Sequence, residues 1–294
     1  MIGAVQSPIT RSMTRSIMTA ITTAIRAARE LQRRYNALGG PTLAGGVTLY
    51  GFLAMFALLV LGVAVLGYVS AGTHDFATTI SHDLGLDGQA ARIVTESVDA
   101  ARDSRRLTTV FGIAGLVWLG SSFGLVVANA FDAAWRVPGR GFRDRLVGLG
   151  WLAGAAVLAA AAAGATALWA MLPAVLAPLV VTVTFAANGA LWMWTSWVLP
   201  NRRVPWRLIL IPAVIAAIAL EILKVAGAFV VPHFIATSSE LYGSIGVVFA
   251  VLLWLLVLGR LVVYLAVIEA WSAERAAIRE LTAGGELSPS HRQP

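Results

Sequence analysis

Cysteine is absent from all 294 residues, so disulfides, thiolate metal sites and cysteine nucleophiles are excluded at the outset. Charge is scarce as well: charged residues make up 13% of the chain, against about 25% in an ordinary soluble domain, which needs them to keep its surface in water. Lysine is reduced to a single residue, Lys224, beside 21 arginines. The four histidines do not form a ligand set: His74-Asp75 and His82-Asp83 share one polar stretch, His233 follows Pro232, and His291 stands near the end. No pair has the i, i+4 spacing of a helical zinc site, and no glycine-rich loop with a following lysine is present to cradle phosphate. These gaps leave no catalytic residue, no metal site and no cofactor to assign, and enzyme activity is not expected.

What the chain has instead is apolar length. Hydrophobic residues make up 58% of it and the mean hydropathy is +0.79. Runs of 18 or more apolar residues read as membrane spans, because a helix of about 20 residues crosses the hydrocarbon core. Six such spans are predicted, at about 43–69, 107–131, 146–171, 175–199, 208–231 and 243–268. None alternates polar and apolar residues, so a β-barrel is not expected. The predicted fold is an all-α integral membrane protein, a six-transmembrane-helix bundle. Gly120-x-x-x-Gly124 and Gly150-x-x-x-Gly154 offer places where backbones can approach closely.

Three polar regions frame the spans. Residues 1–42 carry six arginines against Glu30, and Ile17, Ala20, Ile21, Ala24, Ala28 and Leu31 recur at helical spacing. This predicts a basic amphipathic helix on the cytoplasmic membrane surface, stopped by Gly39-Gly40-Pro41. The first apolar run begins only after this segment and exceeds the ~7–15 residues of a signal peptide, so the segment is expected to be retained. Residues 70–106 form the largest loop on the opposite side, where Ala90, Val94, Val98 and Ala101 can share one face of a helix. That helix either rests on the outer surface or caps the bundle, or it gates a substrate. Residues 271–294 form a cytoplasmic tail, disordered over the last ten.

Arginine placement orients the bundle. With the N-terminus inside, cytoplasmic segments hold 16 arginines, including Arg136, Arg140, Arg143, Arg145, Arg202, Arg203 and Arg207. The outer loops hold four, Arg92, Arg102, Arg105 and Arg106, in a stretch that also carries six acids. The asymmetry predicts a multi-pass protein of the cell inner (plasma) membrane with both termini cytoplasmic. Trp135, Trp151, Trp169, Trp197, Trp206 and Trp271 fall near predicted span ends, as an interfacial belt requires. The net charge of +7 then reads as attraction to anionic lipid, and no specific nucleic acid partner is expected.

Four polar residues fall inside spans: Asn188 in span 4, Glu221 and Lys224 in span 5, Arg260 in span 6. An ionised group at the bilayer centre costs roughly 2.5–3.5 kcal/mol, so such residues face the bundle interior or a wet cavity. Glu221 and Lys224, at i, i+3, can pair on one face. By helical rise Glu221 lies about 2 Å outward of the midplane, Lys224 about 7 Å outward and Arg260 about 6 Å inward, within reach of Glu221. The group reads either as an ion network locking spans 5 and 6 or as the polar path of a transporter.

Family resemblance enters in the second half. Leu199-Pro200-Asn201-Arg202-Arg203-Val204-Pro205-Trp206 resembles the cytoplasmic connection of the YihY/BrkB family of polytopic inner-membrane proteins. Glu221-Ile222-Leu223-Lys224 resembles that family's span-5 pattern, and Tyr242-Gly243-Ser244-Ile245-Gly246 followed by Leu253-Trp254 its motif at the start of the last span. Tyr50 and the run Trp118 to Ser122 fit its first two spans. Ala57 stands where that pattern has proline, and the last span carries Arg260 and ends in Glu269 without the usual Gly-Ala-Glu. The resemblance implies six spans and cytoplasmic termini. It also carries a ribonuclease BN label, which the absence of a metal cluster in the sequence does not support, and an association of some members with envelope lipid handling or virulence.

The expected function is transport or lipid translocation in the cell envelope, with Asn188, Glu221, Lys224 and Arg260 as the polar path and membrane lipids as partners. A non-transporting scaffold, binding envelope proteins through the outer loop, is the alternative, and a membrane-bound nuclease a distant third. A homo-oligomer is compatible with either of the first two.

Overall fold

The computed structural model describes residues 8–71, 89–169, 177–242 and 244–285, with side chains at 18–62, 109–162, 182–230 and 245–282. Within these residues every regular element is helical. Seven helices lie among the described residues: α1 Pro8–Ala37, α2 Gly40–Ala71, α3 Gln89–Trp135, α4 Arg143–Trp169, α5 Ala177–Val198, α6 Trp206–Tyr242 and α7 Ser244–Gly285. Five described stretches are long and apolar enough to cross a membrane: Gly40–Gly62, Thr109–Trp135, Arg143–Ala162, Trp206–Val230 and Ile245–Thr282. α5, at 22 residues, is a sixth long helix. Only 11–33% of each of the five apolar windows is buried within the protein, so most of their side chains need an apolar solvent. The chain is an all-α, multi-pass membrane protein.

Consecutive helices from α2 to α7 pack on one another, and α7 returns to α2, closing a ring that α3 and α7 also bridge. Small residues let the backbones meet. A Cβ at Gly124 of α3 would lie 2.6 Å from Gly148 Cα of α4, and one at Gly120 as close to Leu152. Gly259 of α7 sits against Ala44 and Thr48 of α2, and Thr48 Oγ1 donates to Ala44 O at 2.8 Å. α6 is built inside out: Ala213, Ala216 and Ala217 are buried, while Ile211, Ile215, Ile218, Ile222 and Phe229 are exposed. That pattern suits packing by van der Waals contact in lipid, where large apolar side chains need no shelter.

Several sequence expectations change here. α3 runs unbroken from Gln89, so the segment 89–106 continues the second span and is not a separate surface helix. At 47 residues it is about 70 Å long, more than twice the hydrocarbon thickness. α7 likewise continues through residues 271–285 of the tail, which hold good helix formers and no proline. Trp135 and Trp151 are buried in the core and do not join an interfacial belt, whereas Trp197 and Trp206 are exposed. Trp151 is held inside because its indole donates to Thr195 Oγ1 at 3.0 Å. The side chain of Trp169, the loop residues 72–88 with His74, Asp75, His82 and Asp83, the side chain of His233, and the last nine residues with His291 lie outside the described residues.

α1 does not float free. Gly39, at φ +74°, turns the chain after it, and Tyr35 stacks on Tyr264 of α7 with ring centroids 4.2 Å apart. Tyr264 Oη donates to Gln32 Oε1 at 2.6 Å, and Arg34 bridges Glu30 and Glu274. Burial pushes the Tyr35 phenol above its ordinary pKa, Tyr264 adding to the effect and Arg260 opposing it.

Candidate functional site

Three of the four polar residues inside the spans bear on one another. Asn188 Nδ2 of α5 donates to Glu221 Oε1 of α6 at 2.8 Å, and Lys224 Nζ reaches the same oxygen at 2.8 Å. The helical phase explains the second contact, since i and i+3 share a face. The first comes from α5 and α6 running side by side. The group is not sealed: the Glu221 side chain is 25% exposed and that of Lys224 50%. Around it α6 shows Ile218, Ile222 and Val225 on its outer surface. A carboxylate with two donors and a half-open ammonium therefore sit beside apolar side chains.

Arg260 does not join them. It is exposed, and its electrostatic influence falls on Tyr35. Depth is not the reason, because Trp254 of α7 lies across Gly227 of α6, and antiparallel helices then bring residue 260 close to the level of Glu221. The face is wrong. Six residues turn a helix through about 600°, which carries Arg260 about 120° away from the side that Trp254 presents to α6. It shares a face with Tyr264, four residues on, beside α1.

The connection that carries Pro200 and Asn201 is a knot between two loops. Asn201 N donates to Asp132 Oδ1 and its Nδ2 to Pro138 O, each at 2.7 Å. Arg140 Nε donates to Asn201 Oδ1 at 2.8 Å, and an Nη of Arg140 donates to Pro200 O. The Arg140 backbone N–H donates to Asp144 Oδ2 at 2.7 Å. Pro200 is fully buried, while Pro205 and Trp206 are exposed where α6 begins. Further along, α6 ends at Tyr242 and α7 begins at Ser244, with Gly246 buried; Gly243 and the side chains of Tyr242 and Ser244 lie outside the described residues.

Sequence reading overlooked the buried acids. Asp132 and Asp144 are 4% and 1% exposed, and Glu269 has no exposed surface. Ser196 Oγ donates to Glu269 Oε2 at 2.5 Å, and the Trp192 indole N–H lies beside the same carboxylate. Asp132 and Asp144 flank an arginine-rich loop, where acids are ordinarily solvated; Asp132 is drawn inside by the Asn201 backbone N–H 69 positions away, and Asp144 accepts from the Arg140 backbone N–H four residues earlier.

Comparison with known proteins gives a consistent family. The virulence factor BrkB family matches residues 31–287. An uncharacterized protein of Dickeya dadantii (strain 3937) is 25% identical over 240 residues, which cover 72% of this chain and 73% of the relative. No solved structure matches. With the match running from the last turns of α1 to just past the end of α7, and with the Pro200-Asn201 knot and the Glu221–Lys224 pair inside it, the chain belongs to the virulence factor BrkB family.

Proposed function

We propose that this is an inner-membrane protein of six spans, with both termini cytoplasmic, that moves a lipid or another amphiphile with a polar headgroup, and that Asn188, Glu221 and Lys224 handle that headgroup. One observation carries the reading: two donors from two helices converge on Glu221 Oε1 inside the spans, and one of them, Lys224, is half exposed. Glu221 and Lys224 share one helix, so their salt bridge does not itself fasten α5 to α6; the Asn188–Glu221 bond does that without the lysine. Here the ammonium is open to one side, beside a face of isoleucine and valine. A passing phosphate or carboxylate can bind Lys224 while Asn188 continues to hold Glu221. The lysine also suits a site where charge has to be released again, because an ammonium exchanges partners more readily than a bidentate guanidinium.

The test uses Glu221→Gln, Lys224→Met and the double variant, reconstituted in liposomes for lipid scrambling and assayed for thermal stability in detergent. Each single change strands one partner and should cost about 1–2 kcal/mol, less than a fully buried pair because Lys224 is half exposed. The double variant should recover stability and remain inactive. Recovery of both stability and scrambling in the double variant would make the group a fastener and favour the second reading, a non-transporting member of an envelope assembly, for which the half-open ammonium is a contact with a neighbour.

A further inference from the structure

We propose that the cavity between α1, the end of α3, the start of α6 and the last turns of α7 binds the headgroup of an anionic phospholipid. The cavity has a volume of about 910 Å³, towards the upper end of the ~300–1,000 Å³ of ligand pockets. Val204, Leu208, Val267, Ala270 and Ala273 give it apolar walls. Four arginines line it, Arg34, Arg136, Arg202 and Arg207, against two acids, Glu274 and Glu280.

The arginines are not equally free. Arg34 is committed to Glu30 and Glu274. Arg136, Arg202 and Arg207 have no carboxylate partner among the described residues. Arg202 lies over the Trp135 ring at 5.3 Å and Arg207 over the Trp206 ring at 5.6 Å, which orients both guanidiniums while leaving their N–H groups to donate elsewhere. Arg136 adopts φ +53°, a left-handed conformation that costs a residue with a side chain of order 1 kcal/mol and persists only when its surroundings impose it.

Chemistry and place select the occupant. Guanidinium groups match phosphate oxygens in pairs of parallel hydrogen bonds. The cavity stands where apolar spans give way to charged loops, the depth of a lipid headgroup. Its valine, leucine and alanine walls suit the glycerol and first methylenes behind the phosphate, for which a free anion has no use. This site is separate from Asn188, Glu221 and Lys224 and stands whether or not that group moves a substrate.

The experiment titrates purified protein in neutral detergent with short-chain phosphatidylglycerol, short-chain phosphatidylcholine and inorganic phosphate, reading thermal unfolding and bound lipid by native mass spectrometry. The variants are Arg136→Gln with Arg207→Gln, Arg207→Gln alone in case the pair fails to fold, and Arg203→Gln, an arginine outside the cavity. Phosphatidylglycerol should stabilise the parent and Arg203→Gln alike. Its affinity should fall about tenfold or more in the double variant and by a smaller factor in Arg207→Gln, since each arginine contributes about 1 kcal/mol. Unchanged affinity in the cavity variants, an equal loss in Arg203→Gln, or an equal response to phosphatidylcholine would overturn the site. A response to inorganic phosphate as large as that to phosphatidylglycerol would reassign it to free anions and overturn the lipid.

Discussion

A glutamate without accessible surface has to find its hydrogen bonds inside the protein, and Glu269 finds Ser196. The contact joins α5 to α7, helices that do not follow one another in the chain, beside Leu199 and Leu265 in the core. Glu269→Ala leaves the Ser196 hydroxyl without its partner and opens a void, a loss of about 2–4 kcal/mol that a fall in detergent melting temperature should register. Glu269→Gln keeps the shape and an oxygen for Ser196 to donate to, and should melt much closer to the parent. An alanine variant as stable as the glutamine variant would show that the bond contributes nothing. In the sequence Glu269 is only the acid at the end of the last span; its partner lies 73 residues earlier, and periodicity does not pair residues across that distance. The same limit explains Arg260, whose face depended on how α7 rolls against α6.

Elements follow from composition more directly. Each of the six apolar runs falls on one of α2 to α7, and five of these helices carry a described stretch long and apolar enough to cross a membrane, because the runs are long and free of interior charge apart from the polar residues already named. Helix extensions beyond those runs were harder to see, because hydropathy reports where lipid begins and is silent on where a helix ends. Glycine spacing pointed to close packing but not to which glycines pack. Gly124 faces Gly148 across α3 and α4, whereas a Cβ at Gly150 meets nothing within 4 Å. Gly124→Leu should therefore push two backbones apart at a cost of about 1–3 kcal/mol, while Gly150→Ala should be neutral or stabilise by up to about 1 kcal/mol through helix propensity. Melting of the two variants checks this, and equal behaviour would place the α3–α4 contact elsewhere. For α1, the hydrogen bond from Arg34 holds the Glu30 carboxyl below its ordinary pKa, burial opposing and Arg33 assisting. A depressed carboxylate supports docking above the ordinary range and loses that support as the pH falls through its folded value. Hydrogen-exchange protection in α1, taken relative to the intrinsic rate at each pH, should therefore fall below about pH 4, and Glu30→Gln should flatten the dependence. A pH profile of the Glu30→Gln variant identical to the parent's would remove Glu30 as the cause.

For the whole molecule, the arginine asymmetry makes an orientation testable in a chain without cysteine. Ser290→Cys should resist an impermeant maleimide in intact cells and Ser81→Cys should react; the reverse pattern would invert the bundle. The membrane class was legible because hydropathy is a property of long segments and survives ignorance of contacts. The ring was not, since closing α7 onto α2 depends on the small faces at Gly259, Ala44 and Thr48 meeting across some 200 residues.

The loop knot also has a mechanical consequence. Four hydrogen bonds, two made by Arg140 and two by Asn201, rivet the α3–α4 corner to the α5–α6 corner at one end. Parting the corners there would break all four, at roughly 1 kcal/mol or more apiece. Helices riveted at one end separate by splaying at the other, as tongs do. Any parting of the α3–α4 pair from the α5–α6 pair is then hinged at Asn201, and grows with distance from that residue.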